Sequence, residues 1–219
     1  MSKSQRPFNG IYLVLDAAYC ERRDMLAIAS AACKGGIRIF QIRAKGFTDV
    51  DFMRLAILLQ PILAEYGAEL FINDNAVLAR QLGNCHLHIG QSDMHYDEAR
   101  ALLGPDVMIG LSVETVEQAE LANKYDLAYI AASPVFGTNT KQDAAAALGT
   151  AGLAKVVKVS KHPVVAIGGQ RFETMHDVMA AGASSIAVIS AICGADNVES
   201  TSRAWVGEFR KLHNHYTSL

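Results

Sequence analysis

Four stretches of this chain carry residue types that can do chemistry. The first is Ser133-Pro134-Val135-Phe136-Gly137-Thr138-Asn139-Thr140-Lys141, which follows the apolar run Leu127–Ala132. Hydroxyl, amide and backbone donors followed by a mobile cation suit a phosphate held at the carboxyl end of a strand. An ordinary polar loop with a surface lysine has the same composition, so this motif does not decide alone. The second is Gln41-Ile42-Arg43-Ala44-Lys45. Alternate strand positions point the same way, so Gln41, Arg43 and Lys45 share a direction while extension lasts, and an amide with two cations makes an anion site.

The third is a pair of carboxylates, Asp74 after Phe71-Ile72-Asn73 and Asp93 after Gly90-Gln91-Ser92. On neighbouring loops they fit a hard cation, since Mg²⁺ takes one or two carboxylates plus substrate phosphates and water. Each alone also reads as the cap of the helix that follows. The fourth set is Ser112, Gly168-Gly169 and Ile189-Ser190, at the ends of later apolar runs. A glycine pair and a serine there suit a backbone-built phosphate site, although Gly168-Gly169 is also an ordinary tight turn. Together these give two anion sites. One is cationic and suited to a pyrophosphate, the other is built of backbone and hydroxyls and suited to a monophosphate.

The elements that must position these groups alternate strictly. Strands are expected at 11–15, 37–42, 69–72, 85–89, 107–111, 127–132, 163–167 and 185–189. Helices are expected at 22–34, 49–66, 76–82, 97–103, 115–124, 148–159, 171–181 and about 200–213, with Thr48 or Asp49 capping the second and Gly67 ending it. Ile-, Val- and Leu-rich strands, each followed by a helix, predict a parallel sheet covered by helices. Eight such units fit a single-domain α/β (β/α)₈ TIM barrel over 1–219, with its chemistry in the loops after the strands. A doubly wound open sheet is the alternative, but no G-x-G-x-x-G follows the first strand.

Size and charge agree. A 219-residue chain that is 51% hydrophobic can bury one large core, and a net charge of −2 points to neither a nucleic-acid nor a membrane partner. Cys20, Cys33, Cys85 and Cys193 are widely spaced, which favours free thiols in a reducing cytoplasmic setting over a zinc site or a disulfide scaffold. No secretory signal or bilayer-length apolar run is seen. A homo-oligomer is compatible with the sequence, which does not specify it.

In the order and spacing of these motifs, from about Ile11 to Ile192, the chain resembles the thiamine phosphate synthase family. Further markers are His88-Ile89-Gly90-Gln91-Ser92-Asp93, Ile109-Gly110-Leu111-Ser112, Val165-Ala166-Ile167-Gly168-Gly169 and Val188-Ile189-Ser190-Ala191-Ile192. The resemblance implies a transferase that joins a hydroxymethylpyrimidine diphosphate to a thiazole phosphate, releasing pyrophosphate by a dissociative route. By position it implies that Gln41, Arg43, Lys45 and Asn73 hold the pyrimidine diphosphate and that Ser112 contacts its pyrimidine. Lys141 would hold the pyrophosphate, with Arg43, Lys45 and Lys141 as the catalytic cations. Asp74 and Asp93 would hold Mg²⁺. Thr138, Asn139, Thr140, Gly169, Ile189 and Ser190 would hold the thiazole phosphate, under a lid running from Gly137 to Gly149.

Ala44, Gly137, Asn139 and Gln170 depart from the common pattern, but none removes a charge assigned to catalysis. Two rivals remain on the same scaffold. One is a thiazole tautomerase using His86, His88 or His95 as its acid–base group. The other is a non-catalytic protein that binds thiazole phosphate.

Overall fold

The protein was analysed as a computed structural model that describes residues 8–21, 23–137 and 146–218. Eight short strands pair in chain order, all parallel, and close on themselves. They are β1 (Gly10–Asp16), β2 (Ile39–Arg43), β3 (Glu69–Asn73), β4 (His86–Ile89), β5 (Ile109–Val113), β6 (Tyr129–Ala132), β7 (Val164–Ala166) and β8 (Ser185–Val188). The helices are α1 (Met25–Lys34), α2 (Asp49–Glu65), α3 (Ala76–Leu82), α4 (Tyr96–Leu103), α5 (Val116–Ala122), α6 (Gly149–Val159), α7 (Met175–Ala180), α8 (Ser190–Cys193) and α9 (Val198–Thr217). This is the (β/α)₈ barrel that the alternation predicts.

Side-chain alternation divides the apolar residues between two cores. Leu13, Leu15, Phe40, Ile42, Ile72 and Leu87 point outward and pack with the helices. Tyr12, Phe71, Tyr129, Val165 and Ala187 point inward with Phe8, which comes from the segment before β1. Phe8 stacks on Tyr129 at 4.2 Å between ring centroids and meets Tyr12 and Phe71 edge-on, so aromatic rings fill the barrel's lower interior. Above this layer Gln41, Asn73, His88 and Ser112 line the carboxyl-terminal mouth.

The expected boundaries shift for local reasons. The first helix starts at Met25 rather than Arg22, because the Asp24 carboxylate accepts the amides of Leu26 and Ala27. Thr48 caps α2 by accepting the Asp51 amide. The eighth strand stops at Val188, since Ile189 leaves extended geometry (φ −119, ψ −83) and opens the short helix α8, which the sequence reading did not contain.

Candidate active site

A cavity of about 440 Å³ opens at the carboxyl ends of the strands. Along β2, Gln41 and Arg43 both reach it, and Lys45 continues the alternation just past the strand end. The three side chains thus share one direction, as strand alternation predicts. Arg43, however, is not an unpaired cation. Its Nη1 donates to Asp16 Oδ2 at 2.5 Å, and Asp16, the last residue of β1, is 1% exposed and in register with Arg43. Sequence reading passed over Asp16, although the alternation Tyr12, Val14, Asp16 aims it inward. The pair fixes the guanidinium while leaving other N–H groups for an anion.

Asn73 ends β3 and Asp74 follows it, both lining the cavity. Asp74 adopts φ 64, a left-handed conformation that non-glycine residues rarely hold, and its amide donates to the His88 carbonyl at 2.8 Å. It does not cap α3, because Asn75 does so by accepting the Leu78 amide. Nor does Asp93 cap α4, where His95 stands. The Asp93 carboxylate accepts the Gly90 amide at 2.7 Å. Capping thus explains neither carboxylate.

The two carboxylates interact. The Asp74 carboxyl is raised to about 6, chiefly by burial and next by the neighbouring Asp93, with Lys45 and Arg43 opposing both. Lys45 Nζ lies 3.7 Å from Asp74 Oδ2. Among the described residues no group of three or more His, Cys, Asp or Glu side chains is arranged to hold a metal.

Opposite β2, Ser112 of β5 also lines the cavity, and its Oγ lies 2.9 Å from His88 Nε2. His88 Nδ1 lies 2.8 Å from the Tyr129 hydroxyl, which meets the Tyr12 hydroxyl at 2.9 Å. Gln41 Nε2 donates to Tyr12 at 2.8 Å. The sequence offered His86, His88 and His95 as acid–base candidates. The structure separates them. His86 sits deeper and pairs with Glu69 at 3.1 Å, His95 is a helix cap, and only His88 reaches the cavity, with both ring nitrogens engaged.

Gly169, Ile189 and Ser190 line the cavity from the loops after β7 and β8. Gly168 and Gly169 have φ of 97 and 61, and a Cβ on either would run into Pro134 or Phe136, because the start of the β6 loop lies across the end of β7. The glycine pair is thus required by that close approach as well as by its turn. Gln170, a departure from the family pattern, is buried beside the cavity, and its Oε1 has no hydrogen-bond partner among the described residues. Thr138, Asn139, Thr140 and Lys141, with most of the lid, lie outside the described residues.

Residues 11–192 match the family model for thiamine monophosphate synthase. The chain belongs to that family. The matched span coincides with the one over which the strand-end motifs carried the resemblance. Thiamine monophosphate synthase relatives include a thiamine-phosphate synthase of Leptospira biflexa, 40% identical over 94% of this chain and 100% of its own length. Another, from Syntrophomonas wolfei, is 40% identical over 92% and 93%. Among solved structures, a thiamine phosphate pyrophosphorylase of Pyrococcus furiosus superposes with a TM-score of 0.83 at 28% identity, covering 93% of this chain and 96% of that one. No helix among the described residues is long and apolar enough to cross a membrane.

Proposed function

We propose that this protein condenses 4-amino-5-hydroxymethyl-2-methylpyrimidine diphosphate with 4-methyl-5-(2-phosphooxyethyl)thiazole, giving thiamine phosphate and pyrophosphate. The observation that supports this best is the make-up of one cavity. Gln41, Arg43 and Lys45 meet the Asp74–Asp93 pair there, while Gly169 and Ser190 enter it from the loops after β7 and β8. A diphosphate ester and a phosphorylated acceptor need such a divided site.

In this reading Gln41, Asn73 and Ser112 orient the pyrimidine diphosphate, and Arg43 and Lys45 stabilise the charge that grows on departing pyrophosphate. Lys141 adds a third cation. Asp16 holds Arg43 in place through the 2.5 Å contact. Thr138, Asn139, Thr140, Gly169, Ile189 and Ser190 hold the thiazole phosphate so that its ring nitrogen faces the pyrimidine methyl carbon, and this alignment contributes as an effective concentration. The pyrimidine amino group stabilises the transient cation, and water must be excluded because it would quench that cation.

Mg²⁺ fits the carboxylate pair. Asp74, whose proton affinity burial and the adjacent Asp93 raise, forms with Asp93 the minimal protein set for this ion, whose other ligands are phosphate oxygens and water. When bound there, it supplies charge neutralisation for the pyrophosphate. Free, buried cysteines accord with a cytoplasmic setting.

Pyrophosphate release with Mg²⁺ and both substrates tests the reading. Stoichiometric thiamine phosphate is expected, with loss in EDTA and a fall of roughly 100-fold or more in Arg43→Ala. Folded wild-type protein that makes no thiamine phosphate would sink it. Thiazole isomerisation in the same samples would instead indicate the tautomerase.

A further inference from the structure

Gln41 and Ser112 stand on β2 and β5 with no direct contact between them, yet a continuous hydrogen-bond chain joins them beneath the cavity. Its members are Gln41, Tyr12, Tyr129, His88 and Ser112. Gly110 keeps the path open, since a Cβ there would run into the Tyr129 ring and hydroxyl. Tyr12 and Tyr129 are 1% and 0% exposed, and burial pushes both phenols well above their ordinary range, so each keeps its single hydrogen.

That single hydrogen gives the chain a direction. Gln41 Nε2 donates to Tyr12, whose other partner is Tyr129. Tyr12 must therefore donate to Tyr129, because the reverse would bury its hydrogen without an acceptor, which is strongly disfavoured. Tyr129 then donates to His88 Nδ1. A neutral imidazole that accepts at one nitrogen donates at the other, so Nε2–H donates to Ser112 Oγ. The Ser112 hydrogen is left to point into the cavity, while Gln41 keeps Oε1 there as an acceptor. Turning the Gln41 amide over reverses every bond and exchanges the two roles.

We propose that Tyr12, Tyr129 and His88 are positioning residues that couple the two ends of this chain, so that the cavity always offers one acceptor and one donor to the pyrimidine. An aminopyrimidine matches such a pair, because its amino group donates and its ring nitrogens accept. The identity of that ligand rests on the synthase reading; the direction of the chain does not.

Nitrogen NMR of histidine-labelled free protein reads the direction without any substrate. His88 is expected to carry a single ring proton, on Nε2 for the direction drawn above, and a His88 protonated on both nitrogens in the wild type would overturn the proposal, since neither direction of the chain allows it. Gln41→Glu at pH 8 presents only acceptors to Tyr12. It should reverse the chain and move the His88 proton to Nδ1, and an unmoved proton would also overturn it. In turnover, Tyr129→Phe should raise the KM for the pyrimidine diphosphate about tenfold, as for one lost orienting bond. The KM for the thiazole phosphate should stay within about twofold, because Tyr129 belongs only to the pyrimidine side. Equal changes in both, or none, would leave the chain a merely structural role. Absence of turnover in the wild type would defeat the synthase reading while the NMR result still decides the chain.

Discussion

Asp74 combines an uncommon backbone conformation with an uncomfortable charge. Its φ of 64 and its neighbour Asp93 are both unfavourable in the free protein, and neither serves helix capping. Asp74→Asn tolerates the same backbone and removes the repulsion. If Asp74 holds Mg²⁺ as proposed, the change should cut turnover by about 100-fold. In EDTA at pH 8 it should raise the unfolding midpoint by about 2–4 °C, the shift that about 1 kcal/mol gives a chain of this size. The pH dependence has a definite sign. A carboxyl raised to about 6 lends its stability below the ordinary aspartate range and loses it as pH rises through 6. The midpoint advantage of the variant over the wild type should therefore open across that window. A variant that melts earlier than the wild type in EDTA would mean that the carboxylate is structural. At this scale the sequence identified Asp74 and Asp93 but left two roles open, because choosing between cap and ligand required knowing which residue each helix uses instead.

Among the elements, β2 was the most legible, because period-2 alternation fixes the direction of Gln41 and Arg43 wherever the strand sits. β5 was less so. Gly110 reads as one more small residue in an apolar run, and only the Tyr129 ring lying over it gives it a reason. Gly110→Ala should cost about 1–3 kcal/mol by overpacking, measurable by urea unfolding. It should also weaken pyrimidine diphosphate binding by displacing Tyr129. A variant as stable as the wild type would show that the ring yields without strain. The extra helix α8 was missed for a similar reason, since Ile189 continues the apolar run and only its torsions break it.

Across the molecule, Cys20, Cys33, Cys85 and Cys193 are all free and buried. Burial raises the thiol of Cys33 to about 11 and that of Cys85 to about 12. Both should resist alkylation at pH 8 in the folded protein and react once it is unfolded in urea, as followed by mass spectrometry. Because these pKa values are raised, the associated stability is present below about pH 9, the free thiol range, and declines as pH rises through 11 and 12. Rapid labelling of Cys85 in native protein would contradict this packing.

The strict βα alternation, the eightfold count and the strand-end motifs, and through them the family, are legible in the chain without its fold. These are local signals, carried by periodicities of two or a few residues and by loop chemistry that does not depend on distant neighbours. What those residues touch depends on the closed barrel. Asp16 meets Arg43 across 27 residues, His88 meets Tyr129 across 41, and Tyr12 meets Tyr129 across 117. Such contacts arise only when the sheet closes and brings inward-facing positions of separate strands to one layer. The direction of the chain from Gln41 to Ser112, and with it the role of His88, belongs to that closure.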